Sequence, residues 1–84
     1  MYLKKILKER IDVNSQLLKA MMVLHGDTQS SLASAMGVSL SRLNAKINET
    51  NGSEFRQNEI SFIAQRYALT GDQVIDIFFS KKVS

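Results

Sequence analysis

The stretch from Thr28 to Asn48, TQSSLASAMGVSLSRLNAKIN, contains one glycine, Gly37, set between two short runs of helical periodicity. In the first run Leu32, Ala33 and Met36 recur at helical spacing, and the Thr28 hydroxyl is placed to accept a free N–H of the first turn. In the second, Ser39 occupies the cap position, and Leu43 and Ile47 lie four apart on one side. Gly37 follows Met36 where the chain must leave the first helix through positive φ, which glycine adopts without steric cost. Val38 can then fill the angle between the two. The pattern predicts two short helices meeting at a steep angle, and the rest of the chain has to be built around that corner.

The rest is also helical by pattern. Asn14 or Ser15 can cap a helix running to about Leu24, with Leu17, Leu18, Met21, Met22 and Leu24 as its apolar stripe and Gly26 as its end. His25 falls in the last turn, beside exposed carbonyls. The methionines at 21, 22 and 36 read as core filler. After the corner, residues 49–54 (ETNGSE) read as a turn with its tip at Asn51 and Gly52. Phe55 can staple the start of a helix carrying Ile60, Ile63, Ala64 and Tyr67 on one face. Thr70 and Gln73 have the spacing of a capping box for a last helix rich in Val74, Ile75, Ile77, Phe78 and Phe79. At the ends, residues 2–10 read as a short amphipathic helix, with Tyr2, Leu3, Ile6 and Leu7 opposite lysines, and residues 80–84 as a frayed polar tail.

An 84-residue chain with neither proline nor cysteine fits one all-α domain of five helices plus an N-terminal extra, folded without a disulfide. A reducing cytoplasm is the expected location. No apolar run approaches the roughly 20 residues needed to span a bilayer, and Lys8, Glu9 and Arg10 interrupt any leader-like stretch. One histidine and no cysteine leave no zinc set, no Cys–His nucleophile and no catalytic constellation, while Asp72 and Asp76, one turn apart, are ordinary surface carboxylates. The chain reads as a non-enzyme with no cofactor and no small-molecule ligand.

Function is expected on the second helix of the corner. At 100° per residue, Ser41, Arg42, Ala45 and Asn48 fall opposite Leu43 and Ile47, with Asn44 near the margin. That face is small, polar and free of acid before Glu49, which suits an approach to phosphates. A guanidinium can fork onto guanine or phosphate, an asparagine onto adenine, and an alanine methyl can meet thymine.

These residues carry a family resemblance. Gln29, Leu32, Ala33, Gly37, Val38, Ser39, Leu43 and Asn48 resemble the helix-turn-helix of the phage repressor and Cro family, the lambda-repressor-like domains. The wider run from Gly26 to Phe79, with GDTQ, SRLNAKIN, EFRQNEI and LTGDQVIDIFF, is similar to small Cro-like regulators of Gram-positive prophages and covers about two thirds of the chain. The resemblance implies a compact five-helix bundle and a double-stranded DNA operator. It further implies that Gln29 braces a phosphate, that Leu40, Ser41, Asn44 and Ala45 face the major groove, and that Asn48 holds a phosphate. Many members have glutamine where this chain has Leu40, so readout there is apolar or absent. They also have threonine or serine where this chain has Arg56, whose cation at a helix start reads as a phosphate contact.

The net charge of +3 is weak evidence by itself, but Lys4, Lys5, Lys8, Arg10 and Lys19 precede the corner and Arg42, Lys46 and Arg56 lie in or just after it. The expected DNA-contacting set is therefore Thr28, Gln29, Ser39, Leu40, Ser41, Arg42, Asn44, Ala45, Lys46, Asn48 and Arg56. One such helix discriminates too few base pairs, so a homodimer on a two-fold operator is expected. Val74, Phe78 and Phe79 are the first candidates for its contact, and the stripe of Tyr2, Ile6 and Leu7 the second. A Cro-like role is favoured over a longer repressor because no residues are left for a C-terminal effector domain. The alternative is a helical protein-interaction module, such as a toxin–antitoxin component, for which a tail of five residues after Phe79 is short. A membrane-surface role would rest on residues 2–10 alone.

Overall fold

The computed structural model describes residues 9–83, and the expected N-terminal helix lies outside them except at its last two residues. Five α-helices make an all-α domain: α1 (Ser15–Leu24), α2 (Gln29–Met36), α3 (Leu40–Asn48), α4 (Gln57–Arg66) and α5 (Gly71–Phe78). A 3-10 turn over Thr50–Gly52 follows α3. Each amphipathic helix turns its stripe to one core, built from Leu18 and Met22 of α1, Leu32 and Ala33 of α2, Leu43 and Ile47 of α3, Ile63 of α4 with the adjoining Tyr67, and Ile77 and Phe78 of α5. Leu24, expected in the α1 stripe, is instead 73 % exposed; it lies in the final turn, just before the chain bends at Gly26.

The helix ends follow the chemistry of their residues. Asn14 caps α1 by accepting the Leu17 N–H at 3.1 Å. Thr28 and Ser31 form a reciprocal capping box at α2, in which each hydroxyl accepts the other residue's N–H at 3.0 and 2.9 Å. At α5 the Thr70 hydroxyl accepts the Gln73 N–H and the Gln73 amide oxygen accepts the Thr70 N–H. Gly37 sits at φ 77°, with its N–H on Ser34 O at 3.1 Å and the Val38 N–H on Ala33 O at 3.0 Å, the paired bonds of a Schellman motif. The corner foreseen around Gly37 therefore forms.

The chain ends depart from expectation. Residues Glu9–Asp12 and Ser80–Val83 are strands β1 and β2, paired antiparallel from Glu9 with Val83 to Asp12 with Ser80. Residues 9 and 10 are thus extended rather than helical, and residues 80–83 are paired rather than frayed. The reason lies next to the ribbon: the Asn14 N–H donates to Ile77 O at 2.7 Å, holding the start of α1 against the end of α5. The two chain continuations then leave side by side, where their backbone groups can satisfy one another.

A second departure is a polar latch with no local sequence signal. Asp27, in the α1–α2 turn, accepts from Arg66 Nε at 2.7 Å, Arg66 Nη2 at 2.9 Å, the Tyr67 hydroxyl at 2.6 Å and the Ser31 hydroxyl at 2.8 Å. Its side chain is 8 % exposed. The Arg66 and then the Tyr67 hydrogen bonds hold its carboxyl well below the usual range, outweighing the opposite effect of burial. Burial, followed by the bond to Asp27, pushes the Tyr67 phenol up, so it stays protonated as a donor. His25, expected only to meet the helix carbonyls, stacks on the Tyr67 ring with centroids 4.9 Å apart.

Two predictions follow from backbone and latch. Gly37→Ala should cost about 1–2 kcal/mol from left-handed strain, with no clash because nothing lies within 4 Å of the added Cβ. Ala68, at φ 51°, is the converse case. Ala68→Gly should gain about 0.5–1 kcal/mol, strain relief exceeding chain entropy, so the melting temperatures of the two variants should move in opposite directions. The latch is tested by acid. A carboxyl with a depressed folded pKa adds stability that is fully present above the unfolded value, about pH 4, and is lost as pH falls toward the folded one. Asp27→Asn should remove about one proton from the uptake that accompanies unfolding in that range. An acid limb of the urea midpoint unchanged between wild type and variant would disconnect the latch from stability.

Candidate nucleic-acid interface

Ser39 leaves the turn in extended conformation, φ −74° and ψ 156°, and its hydroxyl accepts the Arg42 N–H at 3.1 Å, starting α3. Leu43 and Ile47 are buried in the core and fix the rotation of the helix, so the opposite face is presented outward. Leu40, Ser41, Asn44, Ala45 and Asn48 line one shallow concave surface with Thr50 of the following turn. Thr50 was not foreseen. Its signal lies in the tight turn after α3, which folds the next residue back beside Asn48.

The remaining expected residues do not line that surface. Thr28, Ser39, Arg42 and Arg56 are exposed, and Gln29 is half-buried at the first position of α2. The Thr28 and Ser39 hydroxyls are engaged as caps. The Arg42 and Arg56 guanidinium groups make no hydrogen bond or ion pair among the described residues. Arg56 stands at the cap position of α4, and its N–H donates to Glu59 Oε1 at 2.8 Å. A guanidinium has no acceptor, so the reciprocal bond of a capping box cannot form and the cation stays outside. Glu49, the acid that closes α3, has Oε2 3.3 Å from the Val13 N–H, a long bond that engages it beside the start of α1.

Lys46 is the correction. It was expected on phosphate, yet it is 6 % exposed, and its Nζ donates to Glu54 O and Glu59 Oε1, both at 3.1 Å. The helical wheel held the signal: three residues beyond Leu43, Lys46 lies only about 60° from it, flanking the buried side. Burial pushes the Glu59 carboxyl up, but the Arg56 N–H, the Lys46 ammonium and both nearby cations outweigh it and lower its pKa.

The expected dimer residues also separate. Phe78 is 4 % exposed and packs edge-on against Phe55, with ring centroids 5.3 Å apart, so it belongs to the core and is unavailable to a partner. Val74 is half-buried and Phe79 44 % exposed, and both line a groove between α4 and α5 with Phe55, Ile60 and Ala64. Tyr2, Ile6 and Leu7 lie outside the described residues. Among the described residues, no three His, Cys, Asp or Glu side chains are grouped to hold a metal ion, and no helix is long and apolar enough to cross a membrane. Compared with known proteins, the chain matches no family model, no curated protein and no solved structure.

Proposed function

We propose that the protein is a sequence-specific regulator that binds double-stranded DNA in the manner of the phage repressor and Cro family, with α3 in the major groove. The observation that carries this reading is the α3 face: a shallow concave surface of Leu40, Ser41, Asn44, Ala45 and Asn48, with no acidic residue on the helix. Buried Leu43 and Ile47 hold it from behind. In this reading Asn44 reads a base edge, Leu40 and Ala45 supply apolar contacts to thymine methyls, and Asn48 and Gln29 bond phosphates. Arg42 and Arg56 supply the charge. Lys46 has no part in the contact. The Cro-like role, the reducing cytoplasm and the absence of catalysis belong to the same proposal.

Selection of bound sequences from a random DNA pool tests it, and a two-fold-related motif is the expected outcome. Absence of any enrichment would favour the helical interaction module instead, with Val23 and Leu24, large apolar side chains that are 77 % and 73 % exposed, as its first candidate contact. Within the DNA reading, Arg56→Ala should weaken binding to all sequences alike and reduce the log–log salt slope by about 0.9. Asn44→Ala should cost about 1–3 kcal/mol at one base position and leave that slope in place.

Two-fold binding requires a self-complementary patch. With Phe78 in the core, the proposed contact reduces to Phe79 and Val74 and their groove. Phe79→Glu should lower affinity for the full operator at least about tenfold, which is about 1.4 kcal/mol or more, with helix content intact by circular dichroism. Undiminished binding by that variant, sedimenting as a monomer on a half-site, would refute the arrangement.

A further inference from the structure

Lys46 is buried, charged and on the helix proposed to read DNA, but it faces away from the reading surface. Its Nζ donates to the Glu54 carbonyl and to Glu59 Oε1, each at 3.1 Å. The same Glu59 oxygen accepts the Arg56 N–H at 2.8 Å. Apart from the Ser39 cap, these are the only side-chain hydrogen bonds made by α3 residues among the described residues, and both run to the segment that begins α4. One oxygen therefore joins the last turn of α3 to the first turn of α4, immediately beside Arg56.

A buried ion pair adds little net stability, because desolvation offsets much of the attraction, and its best-attested use is to fix one arrangement over others. Here the arrangement is directional. Exchanging the two charges would set a carboxylate against the Glu54 carbonyl and leave the Arg56 N–H without its acceptor. Leu43 and Ile47 of α3 and Ile63 of α4 share one apolar core, but such packing is non-directional.

We propose that Lys46 is a positioning residue for DNA recognition: without touching DNA, it fixes the angle between α3 and α4, so that the Asn44 face and Arg56 meet one duplex in register. This rests on the DNA-binding reading. It gives the pair a consequence opposite to that of a phosphate contact. A phosphate contact contributes to all sequences and to the salt slope, whereas a lost angle misplaces base contacts and spares the electrostatic term.

The test uses Lys46→Met and Lys46→Arg in the full chain, well below the melting temperature. Lys46→Met should lose about tenfold in affinity for the selected operator, the scale of one misplaced base contact. Its affinity for unrelated DNA and its salt slope should be unchanged. Lys46→Arg, which can still donate to both oxygens, should restore operator affinity. Residual dipolar couplings without DNA should show a changed α3–α4 angle in the methionine variant alone. A slope reduced by about one unit, with specific and non-specific affinity falling together, would overturn the proposal by making Lys46 a phosphate contact. An unchanged interhelical angle would overturn it too. If the wild-type chain enriches no DNA sequence, the DNA reading fails, and the couplings still decide the geometric role. Should Lys46→Met not fold, Glu59→Ala takes its place: it removes the oxygen that Lys46 and the Arg56 N–H share, and the same angle change is expected.

Discussion

The Asp27 carboxylate is the constraint on which the arrangement of the helices depends. Both of its oxygens are filled, one by Arg66 Nε and the Tyr67 hydroxyl, the other by Arg66 Nη2 and the Ser31 hydroxyl. Bidentate and charge-assisted, this is the strongest class of side-chain hydrogen bonding available to the chain. It reaches across 39 residues from the α1–α2 turn to the end of α4. Tyr67 is buried, so loss of the carboxylate would leave its hydroxyl without an acceptor in the core, a cost beyond the bond itself. Thr28, which opens α2, follows Asp27 directly. The first helix of the corner is therefore aimed by a distant contact, while its own sequence supplies only its ends.

The same pairing decides which charges are left for other work. Arg66 is committed to Asp27 and Lys46 to Glu59. Glu59, in addition, takes the Arg56 N–H. What stays outside near α3 is Arg42 and Arg56, with no acid on the helix between them. Net charge alone is a poor guide to such a surface, because an internal ion pair removes a cation from the surface without changing the total. On the proposed reading, the modest overall charge is compatible with DNA binding because the Asp27, Glu49 and Glu59 carboxylates are engaged within the fold, while Glu54 stays exposed, rather than because cations are plentiful.

Most of the architecture was legible in the sequence, and the failures share a physical form. Caps and turn glycines act within four residues, so Asn14, Thr28, Gly37, Ser39 and Thr70 announced their helices. Periodicity located Leu18, Leu32, Leu43, Ile47 and Ile63 in the core, all fully buried in the fold. Contacts between distant residues were not announced. The β1–β2 ribbon exists because α1 and α5 end together; the latch depends on α4 returning to the α1–α2 turn; and Phe78 is buried because Phe55 is carried to it. In the candidate site, Ser41, Asn44, Ala45 and Asn48 followed from the wheel, whereas Leu40 followed only from the family resemblance. Lys46 was misassigned because charge was weighed above angle, although its position beside Leu43 already pointed inward.

The composition of the α3 face constrains how discrimination could work. Leu40 is 44 % exposed at the first position of the helix, where a polar side chain could have formed a bidentate bond to a base. Together with Ala45 it offers methyl contact, leaving Asn44 as the main hydrogen-bonding reader in the concavity, since Ser41 can contact any base and Asn48 lies at the far end. One bidentate pair supplies about 1–3 kcal/mol of discrimination, against several kcal/mol needed to distinguish an operator from the competing sites of a genome. A face this sparse cannot reach that by adding contacts. On the proposed reading it duplicates them through a second copy, and holds them at one angle so that each weak contact is made in full. These two demands fall on different parts of the fold: the first on the Val74 and Phe79 groove of α4 and α5, the second on the buried bridge from α3 to α4. Since α4 takes part in both, a change in its packing should, on the proposed reading, couple pairing to reading.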